Sequence, residues 1–67
     1  MEETFDIYFH DGENSDNKGF EESVGYCRDY IEAYLGTDHS YFADYKGGVA
    51  QIVSNQTGDL VEEYRVY

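Results

Sequence analysis

Residues 20–35 read FEESVGYCRDYIEAYL, and within them Phe20, Val24, Cys27, Ile31 and Leu35 recur at spacings of four, three, four and four. At about 3.6 residues per turn these side chains fall on one stripe of a helix, so the spacing predicts a helix over 20–35 laid against a sheet. Glu21 and Glu22 then sit in its first turn, where negative charge favours the helix dipole, and Gly36 supplies a left-handed stop.

Upstream, residues 11–19 (DGENSDNKG) are turn formers without an aliphatic side chain, which predicts a surface loop whose Asp16 or Asn17 caps the helix. Before that loop, Phe5, Ile7 and Phe9 alternate with Asp6, Tyr8 and His10, the pattern of a half-buried strand over 4–10. Downstream, residues 36–46 (GTDHSYFADYK) form a long connection with room for a short helical turn, and its Tyr41, Phe42 and Tyr45 must pack or be presented to a partner. Residues 48–54 and 60–67 read as two further strands. Between them Asn55-Gln56-Thr57-Gly58 suits a type I turn with Gly58 left-handed and closing a bulge; its match to a glycosylation acceptor is read only as a turn.

The order is thus β-α-β-β. If the helix carries the chain back across the sheet, the strands at 4–10 and 48–54 point the same way and the strand at 60–67 opposes both. That predicts an α+β fold with a three-stranded antiparallel sheet in order 1-3-2, the C-terminal strand central and the helix on one face. Leu60, Glu62, Tyr64 and Val66 are the more apolar parity of that strand and are assigned to the helix side. Tyr8, Val49 and Val53 fall on the open face.

Composition narrows the function. At 67 residues and 7.8 kDa the chain makes one domain over 1–67 with a thin core. Lys and Arg number 4 against 15 Asp and Glu, a net charge of −11, which disfavours direct binding to nucleic acid or to an anionic membrane. An aromatic content of 18% is too high for an acidic disordered tail. A single cysteine allows no internal disulfide and fits the cytoplasm; no export signal or membrane-length apolar run is readable.

No catalytic motif is assembled, and the expectation is a non-enzyme with no cofactor and no metal. Counting from Asp11, the residues Asp11, Glu13, Ser15, Asn17 and Glu22 partly follow a calcium loop, but Asp16 stands where that loop needs glycine and no helix precedes it. Cys27 lies on the apolar stripe and reads as a buried thiol; nothing in the spacing brings His10 or His39 beside it as a base or a fellow zinc ligand. Carboxylate pairs mean little where acids are so abundant. What remains is their distribution over every segment, including Glu22, Asp29 and Glu32 at helical intervals of seven and three. Keeping so many like charges costs stability, so a compensating use is expected.

In length, acidity, aromatic surface and β-α-β-β layout the chain resembles the small acidic inhibitors encoded by phages and mobile elements, the anti-CRISPR and antirestriction proteins. The resemblance is one of class, carried by no signature motif. It implies an inhibitor in the cytoplasm of a host bacterium that presents carboxylates where phosphates would sit on a basic, nucleic-acid-binding protein surface. The expected contacts are Asp11, Glu13 and Asp16 from the loop, with Glu21, Glu22, Asp29 and Glu32 from the helix. Tyr26, Tyr30, Tyr41 and Tyr45 are the expected aromatic anchors. The expected state is a monomer or weak homodimer, and the alternative function is an adaptor that self-associates through the open sheet face.

Overall fold

Phe5, Ile7 and Phe9 are buried, as their alternation requires, and they belong to an inner strand of the sheet. The computed structural model describes residues 3–67 and contains β1 (Phe5–His10), β2 (Ser15–Glu22), α1 (Val24–Tyr34), the single turn α2 (Tyr41–Asp44), β3 (Val49–Ser54) and β4 (Leu60–Arg65). The four strands form one antiparallel sheet in the order β2-β1-β3-β4, so the domain is α+β as expected, but with a strand more than the sequence reading allowed.

That extra strand is β2, and it changes the topology. Residues 11–19 are not all loop: the chain turns over 11–14 and returns along β1, with His10 opposite Ser15 and Ile7 opposite Lys18. Because this hairpin reverses direction first, the helical crossover makes β3 parallel in direction to β2. β1 lies between them and is antiparallel to both. The expected common direction of the strands at 4–10 and 48–54 is therefore wrong. The order 1-3-2 is wrong as well, since the C-terminal strand β4 lies at an edge.

The helix is shorter than its apolar spacing suggests. Ser23, in an extended conformation, caps α1 by accepting a hydrogen bond from the Tyr26 N–H at 3.1 Å, so neither Asp16 nor Asn17 is the cap. Glu21 and Glu22 end β2, leaving no acidic side chain in the first turn of α1. Phe20 still packs on the core, but from the strand, and its distance of four from Val24 is not a helical one. Near the end of β2, Phe5 pairs with Glu22 while Ile7 pairs with Lys18, so two steps along β1 span four along β2. Glu21 occupies the left-handed region within this bulge (φ 53°).

Other local readings hold. Gly36 and Gly58 are left-handed (φ 87° and 78°), α2 is the short turn in the connection, and β3 buries Ala50, Ile52 and Ser54 while Val49 and Val53 lie on the opposite side. In β4, Glu62 and Tyr64 face the helix side with Ile52 and Ala50, and Val66 beyond them is buried. Leu60 departs from that parity: the register shifts at Val61, which places Leu60 opposite Val53 on the open face, about half exposed.

Between α1 and the sheet lies a core of Cys27, Ile31, Ile7, Ile52, Val66 and the rings of Phe9 and Phe42. Phe9 is its aromatic hub, with Phe42 edge-on at 5.1 Å and Tyr41 and Tyr45 at 5.5 and 5.9 Å. A second row runs Tyr26, Phe20, Tyr30, Tyr34, His39, ending in a stack at 3.9 Å. Among the described residues no helix is long and apolar enough to cross a membrane.

Candidate functional site

The carboxylates named from the sequence separate into three groups. The first surrounds the β1–β2 turn. Asp11 Oδ1 accepts from the N–H groups of Asn14 at 2.8 Å and Glu13 at 2.9 Å, and these bonds hold its carboxyl below the usual range. Asp16 faces the helix side opposite Phe9, and its Oδ2 accepts from the Tyr45 hydroxyl at 2.6 Å. That bond, together with burial, pushes the Tyr45 phenol up to about 12. Asp44, which the sequence reading did not single out, joins Asp11 and Asp16 in lining an open, shallow cleft.

The second group is Glu21 and Glu22, exposed at the far end of β2, up to about 20 Å from Asp16 at ~3.3 Å per strand residue. The third is Asp29 and Glu32, exposed on the outward side of α1 opposite Cys27 and Ile31 and separated by ~4.5 Å of helical rise. Glu22 therefore does not continue a face with Asp29 and Glu32, as the helical intervals suggested; Ser23 ends the helix before it.

The tyrosines divide likewise. Tyr26 is 48% exposed, with its ring edge-on to that of Phe20 at 5.4 Å. Tyr30 and Tyr41 are partly buried, and Tyr45 is 3% exposed, committed to the core and to Asp16. Burial raises the Tyr30 phenol, whose hydroxyl lies beside Ser40 without a well-aligned hydrogen bond.

Three of the four cations have partners within the chain. Arg28 on α1 donates to Glu62 on β4 at 2.9 Å, and Tyr64 donates to the same oxygen at 2.9 Å, holding the Glu62 carboxyl low. Lys46 pairs with Asp38 at 2.5 Å. Lys18 Nζ lies over the rings of Tyr41, Phe20 and Tyr30, 5.3, 5.8 and 5.8 Å from their centroids. Arg65 is exposed, opposite Val49.

Cys27 is buried, its thiol against the Phe5 carbonyl oxygen at 3.5 Å, and burial with the nearby Asp6 and Glu22 pushes it up to about 11, which disfavours the nucleophilic thiolate. His10 stands at the opposite end of β1 from that carbonyl, and His39 stacks on Tyr34. The five calcium-spaced residues are drawn out along the hairpin, with Ser15, Asn17 and Glu22 in an extended strand. Among the described residues no three His, Cys, Asp or Glu side chains are grouped to hold a metal ion.

Sequence reasoning also missed Asp6. It is 7% exposed, and its carboxylate accepts from the Glu21 N–H and the Asn55 Nδ2 at 3.0 Å each, with the Asn17 Nδ2 at 3.5 Å. It thereby ties the β2 bulge to the β3–β4 turn. No family model matches the chain, and no curated protein or solved structure is significantly similar to it.

Proposed function

We propose that the protein is a non-enzymatic inhibitor that occupies a basic, nucleic-acid-binding surface of a bacterial defence complex, in the manner of an anti-CRISPR protein, by presenting carboxylates in place of phosphates. The observation that carries this reading is the disposition of charge. Three of the four cations have intramolecular partners: Arg28 pairs with Glu62, Lys46 with Asp38 at the surface, and Lys18 lies over a group of aromatic rings. The β1–β2 turn, the end of β2 and the outward side of α1 carry Glu13, Glu21, Glu22, Asp29 and Glu32 exposed. A basic partner would meet these groups in charge-assisted hydrogen bonds, with Tyr26 supplying apolar contact at the junction of β2 and α1.

The test is capture of the partner from lysate of a defence-bearing bacterium, followed by target-DNA binding with wild-type protein and with Glu22→Gln, Asp29→Asn, Glu32→Gln combined. All three side chains are exposed, so the variant should fold at least as well as wild type yet compete more weakly. Unchanged competition would mean that the acidity serves solubility alone.

A second reading, self-association through the open sheet face, is favoured by Leu60 turning onto that face beside Val53, with Tyr8 36% exposed. It predicts a concentration-dependent dimer that Leu60→Ser abolishes.

A further inference from the structure

We propose that residues 37–46 form a strap that opens as one unit while α1 and the sheet stay folded, with Phe42 as its plug and Asp16 and Lys18 of β2 as its latch. The segment lies between Gly36 and Gly47, both left-handed (φ 87° and 93°), so each end turns at a residue that changes backbone conformation at little steric cost. Within it the N–H groups of Phe42, Ala43 and Tyr45 donate to the carbonyls of His39, Ser40 and Tyr41, and Asp38 pairs with Lys46 across its two ends. A surface loop closed on itself in this way is a self-contained unit.

Three contacts hold the strap down. Phe42 is fully buried, edge-on to Phe9 at 5.1 Å and 5.8 Å from the ring of Tyr30. The Tyr45 hydroxyl donates to Asp16 at 2.6 Å, and the Tyr41 ring lies 5.3 Å from the Lys18 ammonium. Asp16 and Lys18 are two apart on the helix side of β2, and Tyr41 and Tyr45 are one helical turn apart, so a single side of the turn meets both latch residues.

Two features oppose closure. Ser40 is held in the left-handed region (φ 51°) without being a glycine, and the Tyr30 hydroxyl is left buried beside it without a well-aligned hydrogen bond. Opening relieves both and returns the backbone freedom of the segment. The hydrogen bonds of the sheet and the Asp6 contacts are untouched, and Cys27 and Ile31 keep Ile7 and Ile52 as core partners. In the open state Tyr45 changes from a core residue to a presented one. The inference does not depend on the inhibitory reading.

The test is native-state hydrogen exchange in urea below the unfolding transition, on wild type, Tyr45→Phe and Asp6→Asn. The Phe42, Ala43 and Tyr45 amides are expected to share one opening equilibrium, more frequent than that of the inner amides of α1 and β3. Its urea dependence should be weaker, because opening the strap exposes less surface than unfolding. Tyr45→Phe removes the bond to Asp16, which either kind of opening breaks, and should speed both groups of amides about ten- to a hundredfold. Asp6→Asn weakens contacts on the other face of the sheet that survive opening, so it should speed α1 and β3 and leave the strap unchanged. Strap amides that follow the urea dependence of α1 and β3, or that open independently of one another, overturn the proposal. So does an Asp6→Asn effect as large on the strap as on the core. Should a variant fail to fold, the wild-type urea dependence decides alone.

Discussion

Replacing Asp6 by valine removes the acceptor that joins three parts of the sheet. Two of its bonds are short, from the Glu21 N–H and from Asn55 at 3.0 Å each; the third, from Asn17 at 3.5 Å, is at the limit of geometry and is counted as nothing. A hydrogen bond to a charged acceptor contributes about 1.5–3 kcal/mol, so the two sum to about 3–6 kcal/mol. Against this stand the relief of burying a carboxylate and the strand preference of valine, leaving a net loss of about 2–4 kcal/mol. In a domain of this size that lowers the melting temperature by roughly 10–25 °C. Thermal and urea unfolding followed by circular dichroism measure it. Asp6→Asn, which keeps one acceptor oxygen, should fall between wild type and valine. A double-mutant cycle with Asn55→Ala should show coupling above about 1 kcal/mol. If Asp6→Val melts within about 2 °C of wild type, the carboxylate is not a clasp and the reasoning from its burial fails.

Two other stability measurements follow from the charges. The Cys27 thiol and Tyr45 phenol are raised from their ordinary 9.0 and 10.0 to about 11 and about 12, so their contribution is complete below about pH 9 and is lost as pH rises through those higher values. Asp11, Asp38 and Glu62 are lowered from 3.8, 3.8 and 4.5, so theirs is present above about pH 4.5 and is lost as pH falls through the depressed values. The melting temperature between about pH 2 and 12 should show both limbs, and a profile flat above pH 9 would contradict the Tyr45–Asp16 bond. At neutral pH, stability should rise with added salt, because 15 acids against 4 cations repel one another; a melting temperature that salt leaves unchanged would show that the repulsion is negligible.

What the sequence reveals and conceals here has a physical cause. β1 and β3 are inner strands with one buried side, so Phe5, Ile7 and Phe9, like Ala50 and Ile52, are written as alternation. β2 is an edge strand whose helix-facing positions include Asp16 and Lys18, stabilised by Tyr45 and by the group of aromatic rings, so its pattern reads as loop. One signal was available: Asp11-Gly12 after an alternating strand is a hairpin turn pair, and Gly12 adopts φ 96°. Ser23 was the other, since a serine just before an apolar-periodic run is a helix cap and would have released Glu21 and Glu22 from the helix. The surface acids were legible as exposed groups. Their partition into turn, strand end and helix was not, because it depends on the hairpin. Asp6 looked like an ordinary solvent-side residue of β1, and its burial follows from a bulge and a turn that meet only in three dimensions.

The most direct measurement of the central proposal is target-DNA binding by the captured defence complex, titrated with this protein at low and at physiological salt. Charge mimicry predicts mutual displacement of DNA and protein. The competing concentration should rise steeply with salt, and again when Glu22, Asp29 and Glu32 are neutralised. A complex that holds DNA and this protein together, with neither displacing the other, would contradict it even if the defence activity were inhibited.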